Sequence, residues 1–221
     1  IGWFFRPLAM GRNRVISFCS IEADPVNGLW ESGHNAVMAL KSTIYKTDLS
    51  VADIDRGYYH DHALTIARHP SETDERMMVR LLAFALHADE MLSFGRGLSN
   101  EDEPDLCRLD LTDAIERWIE VGLPNEREVR KACARALAVS ILAYGGRTVN
   151  IWWQSVRDKL EHQERLSITE VPFEASQALA QLASRSMRLQ VTIQEGHVLV
   201  TDGIATVPVE LRVIKAGSSV S

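Results

Sequence analysis

Cysteine is scarce in this 221-residue chain: Cys19, Cys107 and Cys133 are scattered, with no C-x-x-C pair among them. So sparse and odd a set excludes a disulfide framework and reads as reduced thiols of a cytoplasmic protein. Long apolar runs are lacking too. None reaches the roughly 18 residues that a membrane-spanning helix needs, so no membrane is expected as a partner. An excess of positive charge is also missing, with 24 Lys and Arg against 30 Asp and Glu and a formal net charge of −6. That balance excludes a protein that coats nucleic acid through a broad basic surface. A local basic face, or cations held by clustered carboxylates, stays compatible with nucleic acid. What the chain does have is material for a core: 46% of its residues are apolar and 24% charged. A domain of this composition and length needs no staples.

Residues 1–37 have no sustained period. An apolar opening, Ile1-Gly2-Trp3-Phe4-Phe5, is broken by Gly11-Arg12-Asn13-Arg14, and Asp24-Pro25-Val26-Asn27-Gly28 adds turn signals. The basic n-region and small-residue cleavage site of a signal peptide are absent. The segment reads as an extension upstream of a natural start at Met38. A single domain is expected over 38–215, with a disordered tail over 216–221.

From Met38 the pattern is regular. Leu40 to Val51 alternates as a half-buried strand does, and Tyr58 to Ala67 is a second strand ended by His69-Pro70. Ser71 is placed to cap a helix over 72–88 with Glu72 and Asp74 near its start. Leu106 to Leu109 and Ala114 to Val121 form a hairpin across Asp110-Leu111-Thr112-Asp113. Asn125 caps a helix over 126–137, and Val139 to Tyr144 has the wholly apolar character of a central strand. A helix carrying Trp152 and Trp153 follows, then a strand over 166–171 and a helix over 173–184. A hairpin from Leu189 to Ile214 turns at Glu195-Gly196, with Pro208 near an edge. These elements predict an α/β fold with one mixed central β-sheet flanked by helices and antiparallel hairpins at both ends.

Several carboxylates stand where chemistry is done. Glu75 shares a helix face with Met78, Leu82 and Ala85, an unfavourable place for an acid unless it is paired or bound to a cation. Pro104-Asp105 opens one hairpin strand, and Glu120 is near the end of the returning one. Arg127, Lys131 and Arg135 follow at four-residue steps along the next helix. Two carboxylates on adjacent strands and one from a helix can hold the hard cations that phosphodiester hydrolysis uses. Each residue also has a plain reading: Glu75 in a structural ion pair, Asp105 in a turn, Glu120 solvated at a strand end, the basic stripe a wetted helix face. His60 and His62 share a strand face and with His69 could ligate zinc, but cysteine partners are lacking. Gly145-Gly146 lacks the lysine and the serine or threonine of a P-loop.

Ala67-Arg68-His69-Pro70-Ser71-Glu72-Thr73-Asp74-Glu75-Arg76-Met77-Met78 resembles the YaeQ family. So do Glu103-Pro104-Asp105, Trp118-Ile119-Glu120-Val121-Gly122-Leu123-Pro124, Lys131-Ala132-Cys133 and Ile151-Trp152-Trp153-Gln154. The resemblance covers Met38 to about Ile214 and implies a variant of the PD-(D/E)xK, restriction-endonuclease-like scaffold. Carried over by position, it implies that Glu75, Asp105 and Glu120 are metal ligands and catalytic residues for Mg²⁺ or Mn²⁺. The scaffold's usual lysine would fall at 122, where this chain has Gly122; Lys131 is the substitute expected from the following helix. Arg76, Arg127 and Arg135 are expected to contact phosphate. The resulting expectation is a divalent-metal-dependent nuclease. Its alternative is a noncatalytic module that acts through nucleic acid or a protein partner.

Overall fold

The computed structural model describes residues 42–95 and 103–217. The expected extension over 1–37, with Cys19, and residues 218–221 of the expected tail lie outside the described residues.

Strand β1 (Thr43–Asp53) alternates buried and exposed side chains, and β2 (Tyr58–Arg68) pairs with it antiparallel, Leu49 opposite His62. Helix α1 (Asp74–Leu86) follows. The short strand β3 (Leu92–Phe94), for which the sequence gives no periodic signal, leads to β4 (Leu106–Leu109) and β5 (Ile115–Val121). The β4–β5 hairpin turns where expected, with Asp113 at φ 63°. Then come α2 (Glu126–Arg135), β6 (Ala136–Ala143), α3 (Arg147–Leu160), β7 (Leu166–Glu170) and α4 (Phe173–Gln181). The chain finishes with β8 (Ser186–Gln194), β9 (His197–Thr201), β10 (Thr206–Val209) and β11 (Arg212–Lys215). The β8–β9 hairpin turns at Glu195-Gly196, and Pro208 is on β10 at a sheet edge, as the sequence predicts.

Three expectations are corrected. The strands form two mixed sheets instead of one central sheet: a five-stranded sheet in the order β10-β9-β8-β1-β2 and a six-stranded sheet in the order β11-β7-β6-β5-β4-β3. Alternation specifies which face of a strand is buried, not which sheet the strand joins. The α1 cap is Thr73, whose side chain accepts from the Arg76 N–H, while Ser71 bonds the His69 ring at 2.6 Å. Helix α2 stops at Arg135, so Leu137 belongs to β6 instead of the helix.

Four layers result. The inner face of the first sheet packs on α1 and α4, which also cover one face of the second sheet through Leu106, Ile119, Val121 and Leu142. The other face of the second sheet packs, through Trp118, Val139, Ile141 and Ile168, on Val129, Ala132 and Cys133 of α2 and on Val149 and Leu160 of α3. Cys133 is buried there as a free thiol. Helix α1 lies between two layers, so every residue from Met77 to Ala85 is buried, Arg80 included. Strands β5, β6 and β7 run parallel. Their carboxyl ends therefore meet at one edge, the place where open α/β sheets bind ligands.

Candidate functional site

At that edge the β4–β5 pairing brings two carboxylates together. Leu106 opposes Ile119 in the antiparallel register. Asp105 stands just before β4 and Glu120 near the end of β5, where the Asp105 charge acts on the Glu120 carboxyl. Gly95 fixes the approach: its N–H donates to the Asp105 carbonyl at 2.8 Å, and a Cβ there would collide with the Pro104 carbonyl oxygen. The Asp105 side chain is 4% exposed. Its Oδ2 accepts the Val121 N–H at 2.8 Å, and Arg76 Nη2 donates to both of its oxygens at 2.8 Å.

Arg76 is in the first turn of α1, and its other nitrogen, Nη1, donates to Glu72 Oε1 at 3.2 Å. Glu72 is already served by Arg80, whose Nε and Nη2 donate to its two oxygens at 2.7 and 2.8 Å. Both are almost fully enclosed, Arg80 at 1% and Glu72 at 3% exposure. The two-pronged geometry is what keeps such an enclosed pair from being a net cost. Arg80 also donates to the Ala67 carbonyl.

Glu120 shares its strand face with Trp118, whose indole N–H donates to Glu120 Oε1 at 2.6 Å. Burial, and next the charge of Asp105, push the Glu120 carboxyl up to about 8, against the Trp118 bond and the Arg76 charge that pull it down. Tyr144, just past β6, completes the edge. Burial holds its phenol above the usual value, and Arg76, Glu75, Glu72 and Asp105 all act on it electrostatically. Gly122 has φ +115°, and a Cβ built on it would lie 3.9 Å from the Tyr144 ring. At that φ a lysine is strained, which gives a physical reason for its absence here.

The structure thus brings together Asp105, Glu120 and Arg76 of the expected residues. Glu75 is half-buried on the expected face and accepts the Ser176 hydroxyl of α4 at 2.7 Å. Lys131 and Arg127 are exposed on α2, and the Arg135 guanidinium lies 5.4 Å from the centre of the Trp118 ring. Among the described residues no three His, Cys, Asp or Glu side chains are gathered as a metal cluster. His62 bonds Tyr58 and His69 bonds Ser71, so the histidines serve local contacts. The sequence reading missed Glu72, Arg80, Tyr144 and Ser176; the four-residue steps Glu72, Arg76, Arg80 were a usable signal. An open groove of about 930 Å³ is lined by Gly145, Arg147, Asn150, Phe173 and Arg212 among others, and by none of Asp105, Glu120 and Arg76. No helix among the described residues is long and apolar enough to cross a membrane.

A model of the YaeQ protein family matches residues 38–211. The uncharacterized protein YaeQ of Salmonella typhi is 47% identical over 174 residues, covering 79% of this chain and 96% of that protein. Its counterpart in Escherichia coli K12 is 46% identical over 165 residues, 75% of this chain and 91% of that one. The crystal structure of a YaeQ protein from Xanthomonas axonopodis pv. citri superposes with a TM-score of 0.77 at 46% identity, covering 79% of this chain and 99% of that one. That of a YaeQ protein from Pseudomonas syringae gives 0.76 at 41%, covering 79% and 97%. The chain belongs to the YaeQ family.

Proposed function

We propose that this YaeQ-family chain is a cytoplasmic phosphodiester hydrolase of the restriction-endonuclease-like, PD-(D/E)xK type, dependent on Mg²⁺ or Mn²⁺ and acting on nucleic acid. The observation that carries the reading is that Asp105, held by the Val121 N–H, acts through its charge on Glu120 at the carboxyl end of β5. Burial first, and the charge of Asp105 second, raise the Glu120 carboxyl, so a cation beside it would favour its ionised form. Mg²⁺ is commonly held by one or two carboxylates, with water and substrate phosphate completing its shell. Asp105 and Glu120 therefore suffice as its protein ligands, with Glu75 as a further acid from the α1 side. Such an ion polarises a phosphoryl oxygen and offsets the charge that develops on it.

The chain's own residues do the rest. Trp118 orients Glu120 through its indole N–H, and the Val121 N–H fixes one oxygen of Asp105. Arg76 brings a guanidinium to the pair, a fork suited to phosphate. Lys131 is the residue for orienting water or balancing charge, and Arg127 and Arg135 extend a basic stripe for the polymer backbone. A panel of single- and double-stranded DNA and RNA with Mn²⁺ tests the reading. Cleavage lost in Glu120→Gln supports it; the absence of both cleavage and cation binding removes it.

A second reading has one observation in its favour. Arg76 already places a positive charge on both oxygens of Asp105, and Gly122 leaves the strand without its lysine. On that reading the arginine has permanently taken the cation's place, and the domain serves as a noncatalytic module for nucleic acid or a protein partner.

A further inference from the structure

We propose that the free edge of β2 is a self-pairing surface: two copies of this chain join their β2 strands antiparallel about a two-fold axis at Ala63. The inference is independent of the hydrolase reading.

The first observation is how unlike the other sheet edges this one is. At the remaining edges, β10 is four residues long and holds Pro208, and β3 has three residues. Strand β11 has four, with a register shift between Val213 and Lys215. Short length, proline, lysine and irregularity are the means by which edges avoid pairing with other chains. Strand β2 has 11 residues, with no proline, glycine or lysine, and keeps an unbroken register against β1. Among the described residues no strand pairs with its outer side.

The second is which backbone groups that edge offers. The Lys46 and Ile54 N–H groups donate to the Arg185 and Ile193 carbonyls, on the β8 side. Even-numbered residues of β1 therefore turn toward β8 and odd-numbered ones toward β2. In the β1–β2 register, odd residues of β1 oppose even residues of β2, so these turn inward. The outward residues are Tyr59, Asp61, Ala63, Thr65 and Ala67, and the Ala67 carbonyl accordingly accepts from Arg80 of α1 and not from β1. Ala63 is the midpoint of that row. An axis there pairs the whole row: Ala63 with its own copy, Asp61 with Thr65 and Tyr59 with Ala67.

The third is that the side chains then match. On the outer face of the sheet, Ala67 adjoins Ile44 and Thr65 adjoins Lys46 of β1. Tyr59 is 64% and Ile44 48% exposed. With the axis at Ala63, each Tyr59 lies over the partner's Ala67 beside the partner's Ile44, so exposed apolar side chains cover one another. Each Asp61 lies about 10 Å, two strand spacings, from the partner's Lys46 backbone, within reach of a lysine side chain. An axis at Asp61 would set that acid against itself, and one at His62 would oppose two histidines. The contact is isologous and closes at two copies.

The test is sedimentation equilibrium of the full chain as wild type, Ala63→Lys and Ala63→Glu, with the two variants also mixed in equal amounts. The wild type is expected to form a dimer that dissociates on dilution. Each variant sets like charges against each other at the axis and is expected to weaken the dimer by about tenfold or more. The mixture is expected to recover it, because lysine then faces glutamate. Ala63 is exposed, so the variants are expected to fold, which their melting temperatures check. Tyr59→Ser, away from the axis, is expected to weaken the dimer as well and replaces a charged variant that does not fold. A wild type that stays monomeric up to about 1 mM overturns the proposal. Folded variants that dimerise as well as the wild type, or a mixture that does no better than its parts, also overturn it.

Discussion

Trp118 donates its indole N–H to Glu120 at 2.6 Å, from two residues earlier on the same face of β5. This bond favours the ionised acid in a setting that otherwise disfavours it. Trp118→Phe keeps most of the ring and removes the donor. An NMR titration of the metal-free variant is expected to show the Glu120 midpoint displaced further upward, with stability lower by about 1–3 kcal/mol. An unmoved midpoint would show that the bond does not hold in solution.

Glu120 also sets a pH dependence. Its folded value, about 8, is raised above the ordinary glutamate value of 4.5. Above 4.5 the unfolded chain releases this proton while the folded protein retains it, so the contribution is complete below 4.5 and declines as pH rises toward 8. Glu120→Gln mimics the protonated acid. Without divalent metal it is expected to be more stable than the wild type at pH 7.5 by about 1–2 kcal/mol, and equal to it at pH 4. Denaturant unfolding at the two pH values checks this, and a difference independent of pH would refute it.

The Glu72–Arg80 pair makes a different prediction. Removing one partner strands an enclosed charge, so Arg80→Met is expected to cost about 3–5 kcal/mol. The double variant Glu72→Leu/Arg80→Met removes both charges and is expected to recover much of that loss. Urea midpoints of the two variants decide; a double variant as unstable as the single one would mean that packing, not charge, is at stake.

His87 caps the carboxyl end of α1, and burial, with Arg117 and Arg56 nearby, presses its ring down to about 3. Below pH 6.5 the unfolded chain takes up a proton that the folded protein does not, so this residue removes stability as pH falls from about 6.5 toward 3. Because the residue is partly exposed, the loss between pH 7 and 5 is put at about 1 kcal/mol. His87→Gln should flatten that part of the curve, measured by melting temperature against pH; an unchanged curve rules the ring out.

Gly122 is at φ +115°. Installing the scaffold's customary side chain with Gly122→Lys is expected to lower stability by about 1–2 kcal/mol, because the backbone there disfavours any side chain. A melting temperature equal to that of the wild type would show that the turn relaxes without cost.

Much of this architecture was legible in the chain. Alternation marked β1 and β2, the Asp110–Asp113 turn marked the β4–β5 hairpin, and Asn125 marked the start of α2, where it forms a capping box with Glu128. The partition into two sheets was not legible, because β1 takes β8, some 140 positions away, as its parallel neighbour, and local periodicity holds no information on such a pairing. Asp105 and Glu120 could be brought together in advance, since a hairpin joins its two strands. Tyr144 and Ser176 could not, because they reach the site from the ends of separate elements through the stacking of whole layers. Arg76 was read as a phosphate contact. Its present partner, Asp105, is 29 positions away and depends on how α1 settles against β5.

The β1–β8 pairing also bears on synthesis. The first sheet closes only when Ser186–Gln194 lies beside Lys46–Asp53. At ribosomal speeds of about 5–20 residues per second, the β1–β2 hairpin is made roughly 6–25 s before its central neighbour exists. During that interval Leu49, Val51, Leu64 and Ile66 face α1 with three of their sheet's five strands still to come. The hairpin's window for capture by chaperones, or for pairing with another nascent chain, is therefore set by the ribosome and not by the hairpin's own folding rate.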